Sequence, residues 1–493
     1  MLSDILRLSV FSVEILYFAS LLLISIVGFH WYRLCWLYIK NRKRSSLLPP
    51  PPDVSPLPSV TVQIPVYNEV YVIKRVIEAV CAIDYPAHLF EIQVLDDSTD
   101  ETSEIAGEVI EREKQRGVNI SHIRRRTRRG FKAGALKDAF GSARGEFIAL
   151  FDADFVPPRD FLRSILGCFS DPRVGIAQAC WGHTNMEQSL LTRLQSVFLD
   201  GHFVIEQAGR SASGLFLNFN GTASVIRREC LVSSGGWHED TMAEDLDLSC
   251  RAQLKGWKIQ YLKALVCPAE IPSDIAAFKS QQRRWTGGGV QNAKKFFAAL
   301  ISNKGFSAAF RIEAAFHLLR SFLSPLFHFY LFSAVVIAIV GGGFPASAYN
   351  IVGATAFAAS GGIFLFYTLA VLESSPERKI WRFAAVPFVI VLLSGISISN
   401  AQEVYRCLAG RGGGFVRTPK TASVAQTGHI YGQKFNFTAF LELAAAGALL
   451  FCAFAGGVKD PLMKGILTAF SGAFLYVFFL SVKTHIGRFF RGS

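Results

Sequence analysis

Two aspartates, Asp152 and Asp154, close the apolar run Phe147-Ile148-Ala149-Leu150-Phe151 and stand just before Pro157-Pro158. An apolar run bounded in this way predicts a buried strand, and ligands of open α/β sheets bind outside the carboxyl ends of strands. Paired carboxylates at such a tip suit a hard divalent cation that keeps several waters and shares its other positions with phosphate oxygens. An isolated Asp-x-Asp more often caps a helix or faces water, so its meaning depends on its company. Ile64-Pro65-Val66-Tyr67-Asn68-Glu69 and Leu95-Asp96-Asp97-Ser98 end two earlier predicted strands. Each alone reads as a turn; together they bring acceptors and an aromatic face to adjacent tips, where a base and ribose could be held. Lys132 lies at a predicted helix start, in Gly130-Phe131-Lys132-Ala133-Gly134, where backbone N–H groups and a cation favour a diphosphate. Glu244-Asp245 opens another helix. A carboxylate there is usually a cap; the sharper reading has Asp245 take a proton from an attacking hydroxyl. Gln281-Gln282-Arg283-Arg284-Trp285 precedes Lys294, Lys295 and a long apolar segment, and reads at its plainest as an interfacial helix with a tryptophan anchor.

The elements that must position these residues alternate as a parallel sheet requires. Strands are predicted over 59–65, 91–95, 119–123, 146–151, 174–179 and 258–267, with helices over 70–83, 102–116, 133–142 and 187–208 and another opening at Glu244. No internal repeat is present, nor a glycine-rich loop of the Walker or dinucleotide type.

Of the 493 residues 51% are hydrophobic, and the excess is concentrated in long runs near the two ends. Residues 10–39 form an almost uncharged stretch followed by Lys40, Arg42, Lys43 and Arg44, without the small-residue site of a cleaved leader, so a retained transmembrane helix with a cytoplasmic carboxyl end is expected. Six prolines between Pro49 and Pro58 make a stiff linker. Five apolar segments follow the soluble domain, over 314–340, 351–372, 381–399, 437–456 and 462–482. If all five crossed, the loop 401–434 would lie outside, yet it carries Arg406, Arg411, Arg417, Lys420 and Lys434 against Glu403 alone. The positive-inside tendency puts it in the cytoplasm, so one segment must fail to cross. The expected one is 381–399, which is short and carries Pro387 and Gly395. The expected organisation is a transmembrane helix over 1–45, linker 46–58, cytosolic domain 59–277, interfacial helices 278–312, membrane helices 313–400, a cytosolic loop 401–435, and two membrane helices with a basic tail over 436–493. The net charge of +13, including Arg124-Arg125-Arg126-Thr127-Arg128-Arg129, is accounted for by cytoplasmic loops and anionic headgroups, and no nucleic-acid motif accompanies it. Nine cysteines show no metal or disulfide spacing.

Seven motifs in order resemble a known family: Gln63-Ile64-Pro65-Val66-Tyr67-Asn68-Glu69, Asp96-Asp97-Ser98, Asp152-Ala153-Asp154, Phe219-Asn220-Gly221-Thr222, Glu244-Asp245-Leu246-Asp247-Leu248, Gln281-Gln282-Arg283-Arg284-Trp285 and Phe415-Val416-Arg417-Thr418-Pro419-Lys420. Over residues 59–434 the chain resembles the membrane-integrated processive glycosyltransferases of family 2, such as cellulose and hyaluronan synthases, and most of all the cellulose synthase-like A and C groups with their mannan and glucan synthases. The resemblance implies an α/β GT-A (Rossmann-like) cytosolic domain joined to an α-helical transmembrane domain. It implies that Pro65, Tyr67, Glu69 and Asp97 hold the nucleoside and Lys132 the diphosphate. Asp152 and Asp154 would hold Mg²⁺ or Mn²⁺ with the donor, and Asp245 would be the general base. Gln281 and Arg284 would meet pyrophosphate, while Asn220, Glu244 and Trp285 would lie at the acceptor. Phe415, Arg417, Thr418 and Lys420 would belong to a gating loop over the nucleotide. Ala243 departs from the pattern, which usually has threonine before Glu-Asp.

The expected activity is inverting transfer from UDP-glucose or GDP-mannose to a growing β-glycan, expected to be β-1,4, with translocation of the product. Its partners would be the nucleotide sugar, the glycan and the bilayer. The alternative is a single transfer to a membrane lipid, which needs neither gate nor channel; a non-catalytic scaffold would have lost a metal aspartate or the base. A bacterial inner membrane is the expected host, with a Golgi membrane fitting nearly as well.

Overall fold

The computed structural model describes residues 2–50, 57–341, 344–374, 379–411, 437–455, 458 and 461–489. Its centre is a seven-stranded sheet of order β3-β2-β1-β4-β6-β5-β7. The strands are β1 (Val60–Val66), β2 (Phe90–Asp96), β3 (Ile120–Arg124), β4 (Phe147–Leu150), β5 (Val174–His183), β6 (Ser224–Arg227) and β7 (Lys258–Ala269). β1 and β4 are buried almost throughout; β4 reads as a continuous apolar run, and in β1 the polar Thr61 and Gln63 are buried as well. The ladder between β1 and β4 stops at Gln63 opposite Leu150, two residues before Pro65, which has no N–H to donate. Beyond that point the two tips are free to diverge around a ligand.

The sheet is mixed, which corrects the expectation of a wholly parallel one. β6 runs antiparallel to both β4 and β5, while the other pairings are parallel. Its four residues are too few for a periodic signal, so the sequence offered nothing to find it by. Its reversed direction has a consequence for function. β6 begins at the edge where its neighbours end, and the loop Asn220-Gly221-Thr222 that leads into it therefore joins the strand tips. The helix expected over 187–208 is also broken: Leu190–Asp200 passes into a π-helical turn, Gly201–Glu206, and then into Gln207–Ala212.

Among the described residues, five helical stretches are long and apolar enough to cross a membrane: Ser9–Ser45, Ala308–Val340, Ala346–Ser374, Phe437–Phe454 and Met463–His485. The segment expected to behave differently forms two helices, Lys379–Gly395 and Ser397–Leu408, bent by 40°. Pro387 lies inside the first helix without ending it; the break falls at Gly395–Ile396, where a Cβ on Gly395 would meet Val477 and the Ala473 carbonyl at 2.4 and 2.5 Å. The second helix takes in residues 401–408, which the sequence reading assigned to a loop. A core of Leu34, Tyr38, Val197, Phe203, Phe278, Phe366 and Val389 joins sheet-domain helices to apolar ones, so the two parts share one interior.

Candidate active site

The carboxyl ends of β1, β2, β4, β5 and β7, with the loop entering β6, border one cleft that also meets the helix Ile275–Ser302. Asp274 caps that helix, accepting N–H bonds from Ala276 and Ala277 at 2.9 Å each. Gln281, Arg284 and Trp285 follow at i, i+3 and i+4, one helical face, and all three line the cleft. Pro65, Tyr67, Glu69, Asp97, Lys132, Asp152, Asp154, Asn220, Glu244 and Asp245 line it as well. Phe415, Arg417, Thr418 and Lys420 lie outside the described residues.

Lys132 is the electrostatic centre. Its Nζ donates to Asp152 Oδ1 at 2.6 Å and to the Gly221 carbonyl at 3.0 Å, with Glu244 Oε1 at 3.6 Å. Burial lowers its pKa, but the carboxylates of Asp152, Glu244 and Asp245 outweigh it and hold the ammonium above its ordinary value. Asp245 is affected the other way: burial and the neighbouring Glu244 raise its pKa to about 7, against the opposing pull of Lys132 and the Leu246 N–H. A carboxyl group poised there can accept a proton near neutrality. Gly221 has φ +80°, and a Cβ on it would stand 3.2 Å from Asp245 Oδ2 and 3.4 Å from Lys132 Nζ. Only glycine serves both the left-handed backbone and the close approach.

The β1 and β2 tips are tied together by Asn68 at φ 55°: its N–H donates to Ser98 Oγ at 2.9 Å and its Oδ1 accepts the Thr99 N–H at 2.8 Å. This turn presents Tyr67, whose ring carries the Arg128 guanidinium 3.3 Å from its centroid. Both Asp97 oxygens accept from Arg125, at 2.9 and 2.5 Å. Asp97 therefore meets the cleft as half of a bidentate ion pair. Asp96 is buried, and although burial raises its pKa, hydrogen bonds from His122, Ser103 and Ser98 bring it to about 2.

Asp152 and Asp154 offer only carboxylate oxygens, a donor set that fits Mg²⁺ or Mn²⁺. The Asp152 N–H donates to Thr222 Oγ1 at 2.7 Å, and Asp154 Oδ2 accepts the Glu270 N–H at 3.1 Å, so the loop before β6 and the end of β7 hold the pair. A second acidic cluster, His238, Asp240 and Asp247, is already neutralised by Lys295, at 2.8 and 2.6 Å from the two aspartates, and by Arg251 at 2.6 Å from Asp247.

The helix Ile275–Ser302 approaches the segment before Asp245 closely. A Cβ on Gly288 would lie 2.5 Å from Ala243 Cβ and 3.1 Å from its backbone nitrogen. Ala243 thus packs against a helix backbone where a longer side chain would have less room. The sequence reading missed Arg125, Arg128, Trp181, His183 and Glu270. The rule that located the aspartates would have found two of them: His183 ends β5 and Glu270 follows β7, and both line the cleft. His183 Nε2 pairs with Asp200 Oδ1 at 2.8 Å, and Asp200 with Arg382 of the bent helix pair.

Comparison with known proteins bears on this geometry. Residues 58–288 match the model described as glycosyltransferase like family 2. The chain is 38 to 42% identical over 255 to 297 residues to a set of plant enzymes: for example glucomannan 4-beta-mannosyltransferase 1 of Cyamopsis tetragonoloba is 39% identical over 293 residues, covering 57% of this chain and 55% of the relative. Glucomannan 4-beta-mannosyltransferase 2 of Arabidopsis thaliana is 42% identical over 255 residues, 51% of this chain and 48% of the relative. The chain spans about half the length of the curated relatives it matches. A mannosyltransferase of Pyrobaculum calidifontis, solved with GDP-Man and Mn²⁺, superposes with a TM-score of 0.53 at 22% identity, covering 78% of this chain and 99% of that one, which establishes the GT-A fold.

Proposed function

We propose that this chain, whose residues 58–288 match the model described as glycosyltransferase like family 2, is an inverting, processive β-glycan synthase that transfers mannose from GDP-mannose to a growing β-1,4-linked chain. The observation that carries this reading is the convergence of Lys132, Asp152, Asp154 and Asp245 in one cleft that the Gln281, Arg284, Trp285 face of a long helix also lines. The choice of mannose over glucose is supported by the names of the plant relatives and by the GDP-Man of the structural neighbour.

Tyr67, Glu69 and Asp97 bind the nucleoside, with Pro65 shaping the turn and Arg128 fixing the Tyr67 ring. Asp152 and Asp154 hold Mg²⁺ or Mn²⁺, which when bound supplies positive charge against the leaving diphosphate. Lys132, Gln281 and Arg284 add donors for the same phosphates, and charge placed before the reaction is usually the largest contribution to rate. The acceptor sugar stacks on Trp285 beside Asn220 and Glu244. Asp245 removes the proton of its attacking hydroxyl as the bond to the anomeric carbon forms and the bond to the diphosphate breaks. Attack from the face opposite the leaving group turns an α-linked donor into a β-linked product. The catalytic cleft faces the cytosol, the loop that carries Phe415, Arg417, Thr418 and Lys420 serves as the gate, and the bent pair 379–408 is the apolar segment that does not cross.

The test is incorporation of radiolabelled sugar by the purified protein with Mg²⁺ or Mn²⁺, offering GDP-mannose and UDP-glucose separately and sizing the product. A mannanase-sensitive polymer, absent from D245N, is expected. A single sugar on extractable lipid overturns the processive reading, and incorporation from UDP-glucose alone overturns the donor.

A further inference from the structure

Asn220 belongs to a chain of hydrogen bonds whose directions can be worked out from its ends. One end is the Asn218 carbonyl, which can only accept; Gln207 donates to it through Nε2 at 2.8 Å. The other Nε2 hydrogen goes to Asn220 Oδ1 at 2.7 Å. The Asn220 amide oxygen is thereby committed to Gln207, and its Nδ2 faces His202 Nε2 at 3.3 Å. At the far end, Glu206 is a carboxylate paired with Arg210 at 2.8 Å and can only accept, so His202 Nδ1, 2.9 Å from Glu206 Oε2, carries the proton. Then His202 Nε2 is a lone pair that accepts from Asn220. Both ends require the same polarity, and the orientation of each group follows from them. Burial outweighs the pull of Glu206 and holds His202 below its ordinary pKa, in keeping with a neutral ring. One Asn220 N–H is left with no protein partner among the described residues, on a side chain that lines the cleft.

We propose that His202 is a positioning residue which, together with Gln207, locks the Asn220 amide so that it offers the acceptor sugar a single N–H donor and no oxygen. The sugar atom opposite must then be an acceptor, a hydroxyl or ring oxygen. The π-helical turn Gly201–Glu206 is the device that makes this possible, since it places His202, Glu206 and Gln207 around one short loop. This inference rests on the glycosyltransferase reading, because it assigns the cleft beside Asn220 to a sugar.

The test uses the full-length protein in detergent with a manno-oligosaccharide as probe. Binding is read from intrinsic tryptophan fluorescence and GDP binding from calorimetry, so that neither requires turnover; transfer from GDP-mannose is measured in parallel. His202→Leu removes the acceptor for Asn220 Nδ2 and is expected to weaken oligosaccharide binding, and to raise the acceptor KM, about tenfold, with GDP affinity unchanged. His202→Gln can accept from Asn220 through Oε1 and donate to Glu206 through Nε2, and is expected to recover most of that loss. Asn220→Asp replaces the donor by an oxygen and should weaken the oligosaccharide at least as much as His202→Leu. The inference is overturned if His202→Leu and His202→Gln behave alike, if the loss falls equally on GDP, or if the oligosaccharide does not bind the unaltered protein. Oligosaccharide binding with no sugar transfer would instead count against the synthase reading while leaving the amide geometry supported.

Discussion

Asp245 and Glu244 are adjacent carboxylates, and the charge of the second acts on the first. Asp245 is raised to about 7 by burial and by Glu244. In the proposed role of general base it would work only when ionised, so log kcat/KM is expected to fall with unit slope as the pH drops below about 7. Glu244→Gln removes a negative charge that raises Asp245; the limb should then move to lower pH, and a limb that stays put would assign the titration to another group. Asp245→Asn should reduce kcat by at least about 10²-fold with nucleotide binding retained, as measured by calorimetry. These carboxylates were legible in the sequence because each lies at a strand tip or helix start. Arg125 was read only as one of a run of surface charges. Its bidentate grip on Asp97 joins β2 to the turn before the Phe131–Phe140 helix, 28 residues apart, and no local pattern announces such a pair.

The decisive element is the helix Ile275–Ser302, which does two things. Gln281, Arg284 and Trp285 line the cleft; Gly288, one turn further along the same face, lets the backbone pack against Ala243, while Gly287 and Gly289 beside it admit Met242 and Ser321. Gly288→Ala would push its Cβ into Ala243, two residues from the base. A loss of about 1–3 kcal/mol of stability is expected, together with a fall in kcat, since small displacements of a base are costly. Gly287→Ala should be milder, because its nearest obstacle is the Met242 methyl at 2.1 Å, the end of a flexible side chain. Melting temperature and turnover of the two variants separate these outcomes. The glycines could be read from the sequence as a loosening of the helix; the backbone they admit could not.

Across the whole molecule, a buried ionic cluster joins the sheet domain to the apolar helices. Arg210 pairs with Glu206 at 2.8 Å and with Glu313 at 2.9 Å, and Glu313 also meets His30 at 2.8 Å and Arg33. Removing one partner of a buried pair leaves an uncompensated charge, so Arg210→Met should lower stability by about 3–5 kcal/mol, whereas Glu111→Gln, which breaks only the exposed pair with Lys114, should stay within about 0.5 kcal/mol. Thermal unfolding in detergent gives both values. The orientation proposed for the membrane helices has its own check. Ser347→Cys, exposed in the first turn of the helix Ala346–Ser374, should react with a membrane-impermeant maleimide on intact cells, and Ser46→Cys, after the first helix, only after permeabilisation. The native cysteines are buried apart from the half-buried Cys81, so background labelling will be low. The reverse pattern would invert the topology.

The sequence by itself determined the strand and helix alternation, the apolar segments, and many of the residues that line the cleft, though not Arg128, Trp181, His183 or Glu270. Those signals are local: a periodic pattern, a run of apolar residues, a polar residue just past a strand end. Only the tertiary structure decided that β6 runs backwards and carries Asn220 to the common edge, that Arg125 occupies Asp97, and that His202 orients Asn220 from a π turn 18 residues away. These depend on hydrogen-bond direction and close backbone approach between distant segments, and such contacts leave no periodicity along a single chain.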